Sequence, residues 1–286
     1  MKKVLVIGCR GMAGHVIKRY LESLNYYKVF GIARDVNANE NLFVLDVSDT
    51  NKLEQIIKEN SFDIVINCIG LLNKTAEDNP ELAVWYNSYF PHLLSSLGSK
   101  YDFKLIHIST DCVFSGKEGG YREDSFKNGV GFYAQSKALG EVINTNDLTF
   151  RTSIIGPELK QNGIGLFHWF MNQEKKISGF SKAYWTGVTT LELAEGINQA
   201  IMKDLTGLYH FVNESKISKF DLIHIFNRNF RDNRIEVLEN SAYEIDKSLI
   251  CTRSDFIYKV SSYSDMIFKM KQWMVKYREN YEHYRY

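Results

Sequence analysis

A chain of 286 residues is long enough for one large α/β domain, or for such a domain with a smaller lobe. A hydrophobic content of 44%, a charged content of 24% and a net charge of +1 suit a globular protein and give no global field to draw in nucleic acid or a membrane surface. No apolar run is long enough to span a bilayer, and Met1-Lys2-Lys3-Val4 enters a strand at once without a secretion signal, so the expected location is the cytoplasm.

Val4-Leu5-Val6-Ile7 is a continuous apolar run, as expected of a parallel strand covered on both faces. A helix is predicted from about Met12 to Ser23, then strands at Val29–Ala33 and Leu42–Leu45 and a short helix from Leu53 to Glu59. Ile64–Ile69 reads as the fourth strand, and a long helix runs from Pro80, which suits a first turn, to about Ser99. Lys104–Ile108 is the fifth strand, followed by a helix carrying Tyr133 and Lys137 and the strand Leu148–Arg151. This alternation predicts an α/β fold, a doubly wound parallel Rossmann-type sheet with right-handed crossovers.

The rhythm breaks at Gly156-Pro157. Helices are expected over Gly163–Lys175, Leu191–Met202, Phe220–Phe230 and about Ser264–Tyr277, with strands at Leu208–Val212 and Ile235–Leu238. The expected division is a dinucleotide-binding domain of residues 1–155 plus about 186–213, and a mixed α/β substrate lobe of about 156–185 plus 214–286. Cys9, Cys68, Cys112 and Cys251 have no metal spacing and read as reduced thiols; His107, inside an apolar strand, reads as core rather than ligand.

Gly8-Cys9-Arg10-Gly11-Met12-Ala13-Gly14 follows the first strand and opens the first helix. Gly8 permits a tight turn, Gly11 lets backbone approach a pyrophosphate, and Gly14 lets the helix pack closely on the strand. The helix start, Met12 included, offers open N–H groups to the phosphates. Cys68, Ile69 and Gly70, at the end of the fourth strand, are further cofactor candidates. At the end of the second strand Arg34 precedes Asp35; an acidic residue there suits a ribose hydroxyl and an arginine a 2′-phosphate. Arg34 leaves the strand first and Arg10 also reaches this region, so NADPH is favoured, with NADH as the alternative. Asp46, before Val47, either accepts from the adenine amino group or belongs, with Ser48 and Asp49, to a helix cap.

Tyr133 and Lys137 stand one helical turn apart, and Ser109-Thr110-Asp111 ends the fifth strand. A nearby ammonium lowers a phenol's pKa, so the tyrosine can pass a proton to a carbonyl oxygen while the Thr110 hydroxyl bonds that oxygen. A second Tyr-x-x-x-Lys, Tyr243 and Lys247, lacks this setting and shows that the spacing alone proves nothing.

The Gly8/Gly11/Gly14 turn, Asn67, Ser109-Thr110-Asp111-Cys112-Val113-Phe114-Ser115-Gly116, Tyr133-Ala134-Gln135-Ser136-Lys137, Gly140-Glu141 and Arg151-Thr152 carry a resemblance. The chain resembles the extended short-chain dehydrogenases/reductases and, within them, the dTDP-4-dehydrorhamnose reductase group. The resemblance implies NAD(P)H-dependent reduction of a nucleoside-diphosphate 4-keto-6-deoxy sugar, in precursor synthesis for cell-surface polysaccharide. It implies Thr110, Tyr133 and Lys137 as the catalytic set, with Asp111 and Val113 facing the sugar. It weakens after Ile155: Cys112 stands where the group has tyrosine, and the nearest match to its Arg-Pro-x-x-Ser signature is Asp246-Lys247-Ser248-Leu249 with Arg253. Cys112, a further candidate on the sugar side, reads as a packing substitution rather than an acid–base group, with a thiol that serves an epimerase as the alternative. Arg253, Lys247 and Arg151 are candidate diphosphate partners, and Trp185 and Trp169 either border the sugar or fill core. The alternatives are an NAD-dependent sugar-nucleotide epimerase and a non-catalytic NADP-binding regulatory subunit. A homodimer is compatible with the chain.

Overall fold

The computed structural model describes residues 1–285. The chain runs β1 (Lys2–Ile7), α1 (Met12–Glu22), β2 (Tyr27–Ala33), β3 (Leu42–Val44), α2 (Thr50–Asn60), β4 (Ile64–Asn67), α3 (Asn73–Asp78) and α4 (Pro80–Ala83). A π-helical turn, Val84–Tyr89, joins α4 to α5 (Phe90–Tyr101), followed by β5 (Lys104–Thr110), α6 (Phe132–Leu139) and β6 (Leu148–Thr152). The remainder comprises β7 (Ile154–Ile155), α7 (Leu166–Met171), β8 (Lys176–Trp185), β9 (Val188–Thr189), α8 (Thr190–Lys203), β10 (Gly207–His210), β11 (Ile217–Ser218), α9 (Lys219–Phe230), β12 (Glu236–Asp246) and α10 (Tyr263–Lys276).

Seven parallel strands form the main sheet in the order β10-β6-β5-β4-β1-β2-β3. The fold is the doubly wound Rossmann type. After β1 the chain builds outward to β3, then returns to place β4 on the other side of β1, and that reversal opens a crevice beyond their carboxyl ends. Strands β1 and β4 are buried along almost their whole length, as their unbroken apolar runs require. One core layer on one face joins β2, α2 and α5; the other runs from α1 and β6 through α8 to α9 and α10.

Helix α7 is shorter than expected, the short elements α3, β7, β9 and β11 were not expected, and three larger departures shape the fold. The long helix from Pro80 is broken by the π turn. Pro91 has no N–H to give the carbonyl of Asn87 four residues back, and that carbonyl instead lies against Gly140, where any Cβ would come within 1.7 Å of it. Strand β8 falls between two expected helices, where no element was predicted, and its burial alternates along most of its length. Strand β12 is far longer than the four residues expected and pairs with β8 in a second, three-stranded sheet ordered β11-β8-β12. Among the described residues, no helix is long and apolar enough to cross a membrane.

Candidate active site

The glycine turn has the shape its residues demand. Gly8 has φ +81°, and a Cβ there would press on Ile69 and on the Cys68 backbone, so β1 and β4 end against one another. A Cβ on Gly14 would stand 2.2 Å from the carbonyl oxygen of Gly8. Gly11 is the N-cap of α1 and supplies no side-chain acceptor, so the first N–H groups of the helix, from Met12 on, are open to an outside anion. A cradle that a single Cβ would fill, facing an uncapped helix start, fits a dinucleotide pyrophosphate. Cys68, Ile69 and Gly70 are half-buried at the end of β4, and the Cys68 N–H bonds the Ile7 carbonyl at 3.0 Å.

Charged groups gather at the end of β2. Arg34 is 73% exposed and its Nη1 lies 3.6 Å from Asp46 Oδ2. Asp35 lies 3.9 Å from both Arg10 Nε and Lys160 Nζ. Lys160 comes from the segment after β7, which made it invisible to a reading of the first half alone. Asp46 accepts from the N–H and hydroxyl of Ser48 and from the Tyr86 hydroxyl; the cap of α2 is Asp49, which accepts from the Lys52 N–H. The Ser48 N–H bond, with help from Arg34, holds the Asp46 carboxyl below its usual range. Val47 is buried in the second core.

Helix α6 brings Tyr133 and Lys137 to the carboxyl edge of the sheet. Its start is held by Glu77 of α3, whose two carboxylate oxygens accept from the N–H groups of Phe132 (3.0 Å) and Tyr133 (3.1 Å), where a negative charge also suits the helix dipole. Its middle is held by the π turn: Asn87 Nδ2 donates to Ser136 Oγ (3.0 Å) and Ser88 Oγ to the Ser136 carbonyl (2.8 Å). Asn87 also bonds both backbone groups of Leu71 (2.8 and 2.9 Å), so it joins the loop after β4 to α6. Sequence reading missed this asparagine. Its signal was a proline four residues downstream, in a helix where only Asn87 and Ser88 are buried polar groups of the turn.

Thr110 ends β5; its Oγ1 accepts from the Cys112 N–H and donates to Asp111 Oδ1, both at 3.1 Å. Tyr133 is half-buried, with the Thr110 side chain in hydrogen-bonding contact. Burial pushes its phenol up from the ordinary value, and the nearby Cys112 and Asp111 add to the rise, while the Thr110 hydrogen bond opposes it. Lys137 is 3% exposed; its Nζ donates to the Ile108 carbonyl at 2.8 Å and lies 3.3 Å from His107 Nε2. Burial lowers its pKa to about 8 against the opposing pull of Glu141. The expectation that Lys137 would pull the phenol down is therefore corrected: in this site both groups are shifted toward their neutral forms by desolvation. Burial likewise raises the Cys112 thiol to about 11, so it is uncharged at neutral pH.

Several substrate candidates lie elsewhere. Arg151 is 1% exposed: Nε and Nη2 meet the two Glu141 carboxylate oxygens at 2.8 and 2.7 Å, and Nη1 reaches His210 Nε2 at 2.7 Å. No part of the guanidinium remains for a diphosphate. Arg253 donates to the carbonyls of Thr206 and Leu208 and pairs with Asp255, at the amino-terminal ends of β10 and β6, opposite Thr110. Trp185 is core, 5.9 Å from the Tyr263 ring, and Val113 is fully buried among Phe114, Tyr121 and Leu249. Trp169 remains 39% exposed. Asp111 is buried, and burial raises its carboxyl against the charges of Lys247 and Lys219. Those two lysines come from the far lobe: Lys247 Nζ donates to the Phe114 carbonyl at 3.1 Å, and Lys219 opens α9. Lys219 went unread because nothing in its local sequence points to a site. The second Tyr-x-x-x-Lys places Tyr243 on β12, where four residues span far more than one helical turn.

The family model described as RmlD substrate binding domain matches residues 1–254. The chain is similar to the Probable low-salt glycan biosynthesis reductase Agl14 of Haloferax volcanii, 24% identical over 264 residues, spanning 86% of this chain and 83% of that protein. It is also similar to methionine adenosyltransferase 2 subunit beta of Xenopus tropicalis, 22% identical over 236 residues, spanning 77% of this chain and 70% of that one. Among solved structures, dTDP-4-dehydrorhamnose reductase of Bacillus anthracis, in complex with NADP, shares the fold with a TM-score of 0.79 at 20% identity, covering 97% of this chain and 100% of that one.

The Glu141 carboxylate, opposed by burial, is held below its usual range by Arg151, Lys127 and Ser109. Its contribution to stability is present above the unfolded carboxyl's pKa and is lost as pH falls through the lower folded value. Arg151→Ala leaves that carboxylate buried without its partner and is expected to cost about 3–5 kcal/mol at neutral pH. The gap from the unaltered protein should narrow as pH falls and the stranded carboxyl protonates. Urea unfolding at pH 7.5 and at pH 5 checks both statements.

Proposed function

We propose that this chain, which belongs to the RmlD substrate binding domain family, uses NADPH to reduce the 4-keto group of a nucleoside-diphosphate 4-keto-6-deoxy sugar in the synthesis of polysaccharide precursors. The observation that carries the reading is the meeting of Thr110, Tyr133 and Lys137 at the carboxyl edge of the sheet, across the crevice from the Gly8/Gly11/Gly14 turn. A nicotinamide bound over that crevice supplies the hydride. Tyr133, kept as a phenol by its burial, gives its proton to the keto oxygen. The Thr110 hydroxyl turns from Asp111 to the same oxygen as charge develops on it.

Arg34, Arg10 and Lys160 surround the end of β2 with more positive than negative charge, which supports NADPH over NADH. Lys219 and Lys247 stand beside Asp111 on the sugar side and are the cations of the far lobe best placed for the substrate's diphosphate. The similarity to a methionine adenosyltransferase subunit carries a second reading, a cofactor-binding subunit without turnover.

A panel of dTDP-, UDP- and GDP-linked 4-keto-6-deoxy sugars separates the two. Oxidation of NADPH with one carrier is expected; none with any would sink the reductase reading. Tyr133→Phe should cut turnover by about 10²–10⁴-fold while cofactor affinity holds. Arg34→Ala should raise the KM for NADPH about tenfold, the worth of one charge-assisted hydrogen bond, and leave that for NADH unchanged. Lys247→Met should raise the KM for the sugar nucleotide by a similar factor, about tenfold, with kcat less affected.

A further inference from the structure

The segment after α10 touches both sides of the dinucleotide cradle, and the reaction as described does not use it. Beyond a short 3₁₀ turn, Arg278–Asn280, it seats the buried Tyr281 and Tyr284. Tyr281 meets α1: its hydroxyl lies 2.8 Å from His15 Nε2 and 3.1 Å from Nε1 of Trp273 on α10. Tyr284 meets the loop after β7, where its hydroxyl accepts the Glu158 N–H at 3.1 Å. That loop carries Lys160 toward Asp35 and closes against α1, since a Cβ on Gly165 would stand 3.3 Å from Met12 Sδ. On the outer side of α1, Arg19 lies over the Tyr277 ring and 3.6 Å from Glu279.

The direction of each bond through His15 is fixed. Its Nδ1 lies 2.8 Å from the Gly11 carbonyl oxygen, which only accepts, so Nδ1 carries a proton. Burial lowers the ring to about 4, so at neutral pH it is uncharged and Nε2 is bare. Nε2 therefore accepts from the Tyr281 hydroxyl, whose oxygen accepts the indole N–H of Trp273. Donors thus run in one sense from Trp273 through Tyr281 and His15 to Gly11.

The Gly11 carbonyl shares its peptide group with the Met12 N–H, the first open donor of the helix start. In a trans peptide the two point in opposite directions. His15 gives the oxygen two donors, its ring and its backbone N–H at 3.1 Å. They hold that oxygen along the helix and so aim the Met12 N–H outward, where an anion meets it. We propose that His15 is a positioning residue for the pyrophosphate turn and that Tyr281 holds it to that task, so that the seating of the C-terminal segment sets cofactor affinity. The inference rests on the dinucleotide reading and on no sugar chemistry.

The test is direct binding of NADPH and NADH, read by the change in nicotinamide fluorescence. Tyr281→Phe keeps the ring and removes its donor to His15 Nε2. It is expected to raise the Kd of the tighter cofactor about fivefold, the worth of one neutral hydrogen bond. His15→Leu should raise it at least as far. His15→Asn, whose amide nitrogen can replace Nδ1 as the donor to Gly11, should recover part of that loss. Tyr281→Phe added to His15→Leu should add less than about twofold, because the tyrosine acts through that ring. An unchanged Kd in Tyr281→Phe, or full multiplication of the two effects, overturns the proposal. Should a variant fail to fold, the ¹⁵N imidazole shifts of His15 in the unaltered protein decide: a proton on Nδ1 is expected, and a proton on Nε2 overturns it. If the unaltered protein binds neither cofactor, the dinucleotide reading falls and this inference with it; binding that ignores Tyr281→Phe sinks this inference alone.

Discussion

The site depends on one buried carboxylate. Glu141 lies just past the end of α6 with no exposed side-chain surface, and it accepts from Arg151 on β6, Ser109 on β5 and Lys127 in the intervening loop. Ser109 immediately precedes Thr110. The same carboxylate thus anchors the hydroxyl-bearing strand and the helix that carries Tyr133 and Lys137. A lone buried charge would be costly. Here a bidentate arginine whose third edge is taken by a neutral His210 leaves no lone pair or N–H stranded. With Glu77 at the start of α6 and Asn87 at its middle, the helix is held at three levels, and Thr110, Tyr133 and Lys137 gain their placement largely from contacts made by the backbone and by neighbouring side chains.

What could be read in advance follows from how local the cause is. A parallel strand covered on both faces must be apolar throughout, so β1, β4 and β5 announce themselves in four to seven residues. A glycine turn between strand and helix is equally local. The π turn is not: it exists because Pro91 withdraws a donor and Gly140, far along the chain, can lie against the freed carbonyl. Strand β8 carries a period of two, but its lysines, serines and a glycine dilute the signal, and it is recognisable mainly by its partner β12.

The site residues divide in the same way. The positions of Thr110, Tyr133 and Lys137 could be read from sequence because each is placed by its own element, at a strand end or on a helix face. Arg151 and Arg253 were misread because an arginine's partner decides its role, and Glu141, His210 and Asp255 meet them only in the folded chain. Lys160 and Lys219 were passed over for the converse reason: each acquires meaning from a charged neighbour that sequence spacing does not bring near. With a net charge of +1, this chain must attract an anionic ligand locally, through such charges and through the open helix start at Gly11.

Desolvation then sets the direction of the chemistry. A tyrosine that had to act as a base would need its phenolate favoured; burial and the neighbouring Cys112 and Asp111 push the other way. A phenol in that environment is better suited to giving a proton to an oxygen that is gaining charge than to taking one from an alcohol. Burial lowers Lys137 to about 8, so its positive charge is weakened by desolvation yet largely present at neutral pH. Once the proton has left, the phenolate is the group that gains from this lysine, which titrates at about 8 and holds its proton more firmly beside the new negative charge. The pair is thus matched to the state after proton delivery rather than the state before it, which is where a reductase gains from electrostatic stabilisation.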